Sequence, residues 1–310
     1  MGAQPTRGNL NIMVAGAAVA AGAAGWLLLG PLWAIAGVVA GPPLALVAYG
    51  ALRTYTTPDP ATQVNNHEPH QALTHLQQHL PSWRTLARVW PGQFREPLAD
   101  NLLVEAEALL ALHRGTEALA PAAEGVAIYQ VLAAEKPRRF APGLADALDR
   151  QARVLGVTGS LAEAIAAVGV AARLYRNLAA AAPAKYLPVL AGSLTRQAVW
   201  LCEINLTSQA LETAAEAATI CQDQLPRDQL PSCTAEVLLL EGRLLVTEGR
   251  QQQALRPLAM GWQLAASQDR QYLLATATAA VKAAYNADRA AFRDMWRAET
   301  GGEPPDWLTR

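Results

Sequence analysis

Apolar positions recur with a helical period over most of the chain, and the pattern itself recurs every 46 residues. The stretch Phe94–Arg139 has the same shape as Phe140–Lys185, and a third copy opens at Tyr186. In the first half of each copy, Leu98, Leu102, Ala106 and Leu109 correspond to Leu144, Leu148, Ala152 and Leu155. The third copy supplies Leu190, Leu194, Ala198 and Leu201. The spacing i, i+4, i+8, i+11 places each set on one face of a helix. In the second half, Ala118-Leu119 corresponds to Ala164-Ile165 and Ala210-Leu211, and Tyr129 and Leu132 to Tyr175 and Leu178. Short breaks at Arg114-Gly115, Gly156–Gly159 and Asn205–Ser208 separate the two helices of each copy. Pro137 and Pro183 are read as closing the second helices.

The register extends in both directions. Ala72, Leu73, Trp83, Leu86 and Pro91 match the second-helix pattern one period earlier, so residues from Pro69 to Arg88 predict a half-repeat. Its missing partner helix would fall in the Pro-containing segment before it. Leu238, Gly242, Leu245 and Ala254 repeat the pattern 44 residues after the third copy. A last pair is predicted from Tyr272–Tyr285 and from a helix capped by Asp288 that runs to about Glu299. Trp296 and Trp307 are expected to cover the open end.

The N-terminal pattern is different. Residues 8–52 contain no charged residue and no histidine, and one membrane-spanning helix needs about 20 residues. Two spans are expected, about Asn11–Leu29 and Leu32–Leu52, broken at Gly30-Pro31. Trp26 and Trp33 flank the turn, while Arg7 and Arg53 share the other side. The positive-inside rule then puts both termini in the cytoplasm and makes the chain a two-span protein of the cell membrane. A cleaved signal peptide and a single span are the alternatives. Small residues at Gly16, Ala20 and Ala24, and Gly37-x-x-x-Gly41, permit close helix approach and a homo-oligomer through the hairpin. The expected organisation is a transmembrane hairpin over 1–53, a juxtamembrane linker over 54–68, a helical repeat domain over 69–299 and a tail over 300–310.

Composition agrees with an all-α chain. Hydrophobic residues make up 52% and charged residues 16% of the 310, with a net charge of −1. That balance disfavours a nucleic-acid partner. Cys202, Cys221 and Cys233 have no metal-like spacing and read as free thiols of a reducing compartment. Four of the five histidines are His67, His70, His75 and His79. His75 and His79 stand i, i+4, a metal-ligand spacing, but no acid or thiol completes a set on that face, so no metal site is assigned. No phosphate-binding loop, nucleophile motif or zinc framework is present. Catalytic residues: none are expected, nor any cofactor.

A small residue in the first helix, a large apolar residue three later and an alanine twelve after the small one resemble the tetratricopeptide repeat. The likeness covers about residues 69–299. The family period is about 34 residues. The longer units here look like those of actinobacterial tetratricopeptide proteins, with the extra length expected mainly in the second helix. The resemblance implies an α-solenoid scaffold that holds a protein or peptide partner on the concave face lined by first helices. Mapped onto this sequence, that face comprises Asp100, Leu103, Glu107, Asp149, Arg150, Arg153, Arg196, Val199, Cys202 and Arg243. The Lys/Asn clamp for a terminal carboxylate in some members falls on Leu103/Glu107, Asp149/Arg153 and Thr195/Val199 and is absent. What remains is a site of Asp149, Arg150, Arg153, Arg196 and Arg243, suited to an acidic partner. A second reading makes the hairpin the active part: an oligomerising membrane component of a transfer assembly, similar to actinomycete plasmid spread proteins, with the solenoid as docking arm.

Overall fold

The computed structural model describes residues 68–305 and 308. The expected transmembrane hairpin, the linker up to His67 and Trp307 lie outside the described residues. Among those described there is no strand, and no helix is long and apolar enough to cross a membrane. The chain divides into two compact units, Met1–Leu112 and His113–Arg310.

In the first unit, α1 (Pro69–Val89) packs against α2 (Pro91–Ala111). The apolar face of α1 is Ala72, Leu73, Leu76 and Leu80. That of α2 includes Leu98, Leu102, Ala106 and Leu109, as the periodicity requires. Trp83 and Trp90 close on Phe94, with ring centroids 5.9 and 6.2 Å apart.

The second unit contains α3 (Gly115–Glu135), α4 (Pro137–Val157), α5 (Leu161–Ala181), α6 (Pro183–Glu203) and α7 (Thr207–Thr219). It continues through α8 (Thr234–Thr247), α9 (Gln251–Ser267), α10 (Gln271–Ala287) and α11 (Arg289–Thr300). Each helix packs on the next in sequence, and α8 also meets α10, as α9 meets α11. One repeat is two helices of 21 residues, a three-residue turn and a single linking residue. The extra length relative to a 34-residue unit is therefore shared by both helices, not concentrated in the second. Pro137 and Pro183 open first helices at N1, where a missing N–H costs nothing. The linking residues Lys136 and Ala182 leave the helical region (φ −139°, ψ 76° and φ −144°, ψ 74°), which a following proline disfavours.

The turns inside each repeat are left-handed caps. His113, Gly159, Asn205 and Gly249 all have positive φ, between 57° and 87°, and they recur at the repeat spacing. Ser160 N–H reaches back to the Leu155 carbonyl at 2.9 Å, Leu206 to Leu201 at 2.9 Å and Arg250 to Leu245 at 2.8 Å. These bonds satisfy carbonyls the helix end leaves open. Gly156 is not part of its turn. It lies inside α4, where a Cβ would stand 2.3 Å from the Trp200 ring. Trp200 fills that space and joins Ala152, Leu155, Ala164 and Val168 in one buried cluster.

After α7 the repeat loosens. A π turn (Ile220–Gln224) and a 3-10 turn (Arg227–Gln229) replace the end of the second helix. In the next pair Gly242 lies under Leu258 and Gly261 under Leu238 and Leu239, so α8 and α9 approach closely. Asp288 caps α11 as expected, its Oδ1 accepting from Ala291 N–H at 3.0 Å. Phe292 and Trp296 are buried and stacked at 5.4 Å. The tail turns back at Gly301, with Arg297 donating to Glu303 at 2.8 Å.

Candidate partner-binding site

Asp149 sits on α4 with 8% of its surface exposed. A carboxylate at that depth needs donors, and α6 supplies them from positions three residues apart. Ser193 Oγ donates to Oδ1 at 2.6 Å, and Arg196 Nη2 donates to both oxygens at 2.8 Å. This clasp ties the first helices of two successive repeats. Tyr175 of α5 lies within its field. Burial first, and then the charges of Asp149 and Asp146, hold the Tyr175 hydroxyl well above the ordinary phenol range. It stays protonated.

The other expected residues distribute around the clasp. Arg150 is half-buried and donates to Asp146, one turn back on α4, at 2.8 Å. Arg153 is half-buried one turn beyond Asp149 on the same helix. Arg243 is exposed on α8, and its charge acts on Cys202 of α6. Burial raises the Cys202 thiol, and Arg243 partly offsets this. Arg196 likewise acts on Cys233, whose thiol burial pushes up while a Thr195 hydrogen bond opposes it. Arg150 and Arg196 are thus matched by aspartates of their own unit, and the strip is a mixed-charge surface. In the first unit Asp100 is exposed, Glu107 half-buried and Leu103 buried.

Sequence reasoning had Asp149 and Arg196 on one face without pairing them. The signal was available: the residues are 47 apart, one more than the repeat, so they face each other across adjacent copies. Trp200 was missed as the side chain that makes Gly156 necessary. All three cysteines are free thiols, Cys221 deepest, its Sγ accepting from Thr234 Oγ1 at 3.6 Å. The His75 and His79 rings meet at a tilt of 54°, with centroids 4.5 Å apart. Among the described residues no group of three or more His, Cys, Asp or Glu side chains could hold a metal.

No protein-family model matches the chain, and no curated protein resembles it closely enough to match. Solved structures do. A putative kinesin light chain from Podosopora anserina, with nearly identical TPR-like repeats, is 17% identical with a TM-score of 0.50. It covers 69% of this chain and 100% of its own. A variant of it gives 0.51 at the same identity, over 68% and 93% of the two chains. BtubC (BKLC) from P. vanneervenii is 15% identical with a TM-score of 0.52, covering 76% of this chain and 94% of that one. At these identities the likeness establishes the fold: the chain carries an all-α, TPR-like helical solenoid.

Proposed function

We propose that the chain is a membrane-anchored scaffold that holds a protein or peptide segment along the face of its first helices. The observation that carries the reading is the TPR-like solenoid with Arg150, Arg153, Arg196 and Arg243 spread over three successive first helices. Such folds work by presenting an extended surface. Arginine suits carboxylate recognition because its planar fork donates two parallel hydrogen bonds. A partner that offers carboxylates to this face, in competition with Asp146 and Asp149, is the one this reading expects. The aspartate clasp supports this reading by fixing the Arg196 side chain before a partner arrives, which lowers the ordering cost of binding. Anchoring rests on the uncharged stretch 8–52 and would raise the local concentration of whatever the solenoid holds.

Affinity purification from crosslinked membranes tests the partner. Arg153→Ala plus Arg243→Ala, which leaves the clasp intact, is expected to abolish recovery of an acidic protein that the unaltered chain retains. Undiminished recovery would refute the face. Reporter fusions at Gly30 and Arg310 test the anchor: the first is expected to be active outside the membrane and the second inside.

A further inference from the structure

A second charged surface lies at the end of the stack where each second helix hands over to the next first helix. Since α3, α4, α5 and α6 pack consecutively, the starts of α4 and α6 lie at the same end. Lys136, Arg138, Arg139 and Lys185 are all exposed there, with Glu135 the exposed acid beside them. The arrangement recurs at the repeat spacing. Arg139 Cζ lies 4.7 Å from the centroid of the Phe140 ring, and 46 residues on Lys185 Nζ lies 4.9 Å from that of Tyr186. The helix dipole does not account for these cations. Arg138, Arg139 and Lys185 occupy first turns, where the helix dipole favours acids and disfavours bases, and neither first turn holds an acid.

We infer that this basic edge rests on anionic lipid headgroups. The inference depends on the anchoring reading, in which the uncharged stretch 8–52 holds the chain to a bilayer. Each basic side chain near an anionic leaflet adds attraction that salt screens. An acidic protein partner is the less favoured occupant, because the chain itself supplies the bilayer.

The lysines provide the test. Lys136, Lys185 and Lys282 are the three in the chain, and Lys282, on α10, serves as reference. The full chain is placed in lipid nanodiscs and acetylated briefly. Labelling of Lys136 and Lys185, relative to Lys282, is expected to slow about threefold or more in discs with a third phosphatidylglycerol compared with pure phosphatidylcholine. High salt is expected to restore it, and Arg138→Gln plus Arg139→Gln to weaken the protection of Lys185. Equal labelling in both discs, or equal protection in both, overturns the proposal. If polyglutamate protects the lysines and anionic discs do not, the edge belongs to a protein partner and the lipid assignment falls. Failure of the chain to co-elute with discs refutes anchoring instead. The same footprint against added anionic vesicles then decides the edge on its own.

Discussion

Single residues set how closely the helices approach. Gly156 has no Cβ because the Trp200 ring occupies that space, and a buried indole cannot retreat as a flexible side chain would. Gly156→Ala is expected to cost about 1–3 kcal/mol by overpacking. In a Trp200→Leu background the same change is expected to cost much less, so a double-mutant cycle by urea denaturation checks the contact. Equal costs in both backgrounds would remove Trp200 as the reason for the glycine. Glu241 on α8 belongs to this scale too. Burial raises its carboxyl to about 7 from the usual 4.5, with Arg250 opposing the shift. The folded state holds this proton more tightly than the unfolded chain. Its contribution is therefore favourable below about pH 4.5 and is lost as the pH rises to about 7. Allowing for partial exposure, Glu241→Gln is expected to stabilise the fold by about 1–2 kcal/mol at pH 8 and to change nothing at pH 4. Melting curves at the two pH values measure this, and an equal gain at both would contradict the assignment.

Between elements, the Asp149 clasp carries the most specific information. Removing the carboxylate takes the acceptor from Arg196, while Ser193 keeps the Val189 carbonyl at 3.1 Å, and Asp149→Ala is expected to cost about 2–4 kcal/mol. Ser193→Ala is expected to cost about 1 kcal/mol. The Asp149/Arg196 double variant is expected to be less destabilised than the sum of its single changes, since the orphaned charge disappears with its partner. Additive losses in denaturant titrations would mean that the pair does not act as a unit. The helices themselves were legible in the sequence because each buries one face at a regular spacing, and the Asp288 cap is a local bond. The starts of α4 and α6 were set three residues late, at Phe140 and Tyr186. Pro137 and Pro183 were read as endings, although proline serves equally at N1. The pairing of Asp149 with Arg196 and the seat of Trp200 were not read, because both join residues in different repeats and depend on how helices cross.

At the scale of the molecule, the repeat is modular in a way that can be cut. Lys136 and Ala182 have nearly the same backbone angles, φ −139°, ψ 76° and φ −144°, ψ 74°, and each precedes a proline that opens a first helix. Deleting 137–182 therefore joins Lys136 to Pro183 in the geometry Lys136 already has with Pro137. Stability in such arrays is close to a sum of unit and nearest-neighbour contributions, so the shortened chain is expected to fold with a lower melting temperature and unchanged helicity per residue. One contact argues for a further cost. Tyr129 packs onto Gly143, where a Cβ would lie 2.3 Å from its ring. In the deletion the tyrosine meets Val189, the residue one period later, so Val189→Gly is expected to recover stability in the deleted chain. A control deletion of 137–179 leaves three residues too many before Pro183. At 3.6 residues per turn these rotate the apolar face of α6 by about 300° relative to its neighbour, and this chain is expected to lose its cooperative melt. If the 43- and 46-residue deletions melt alike by circular dichroism, the period is not what holds the stack in register.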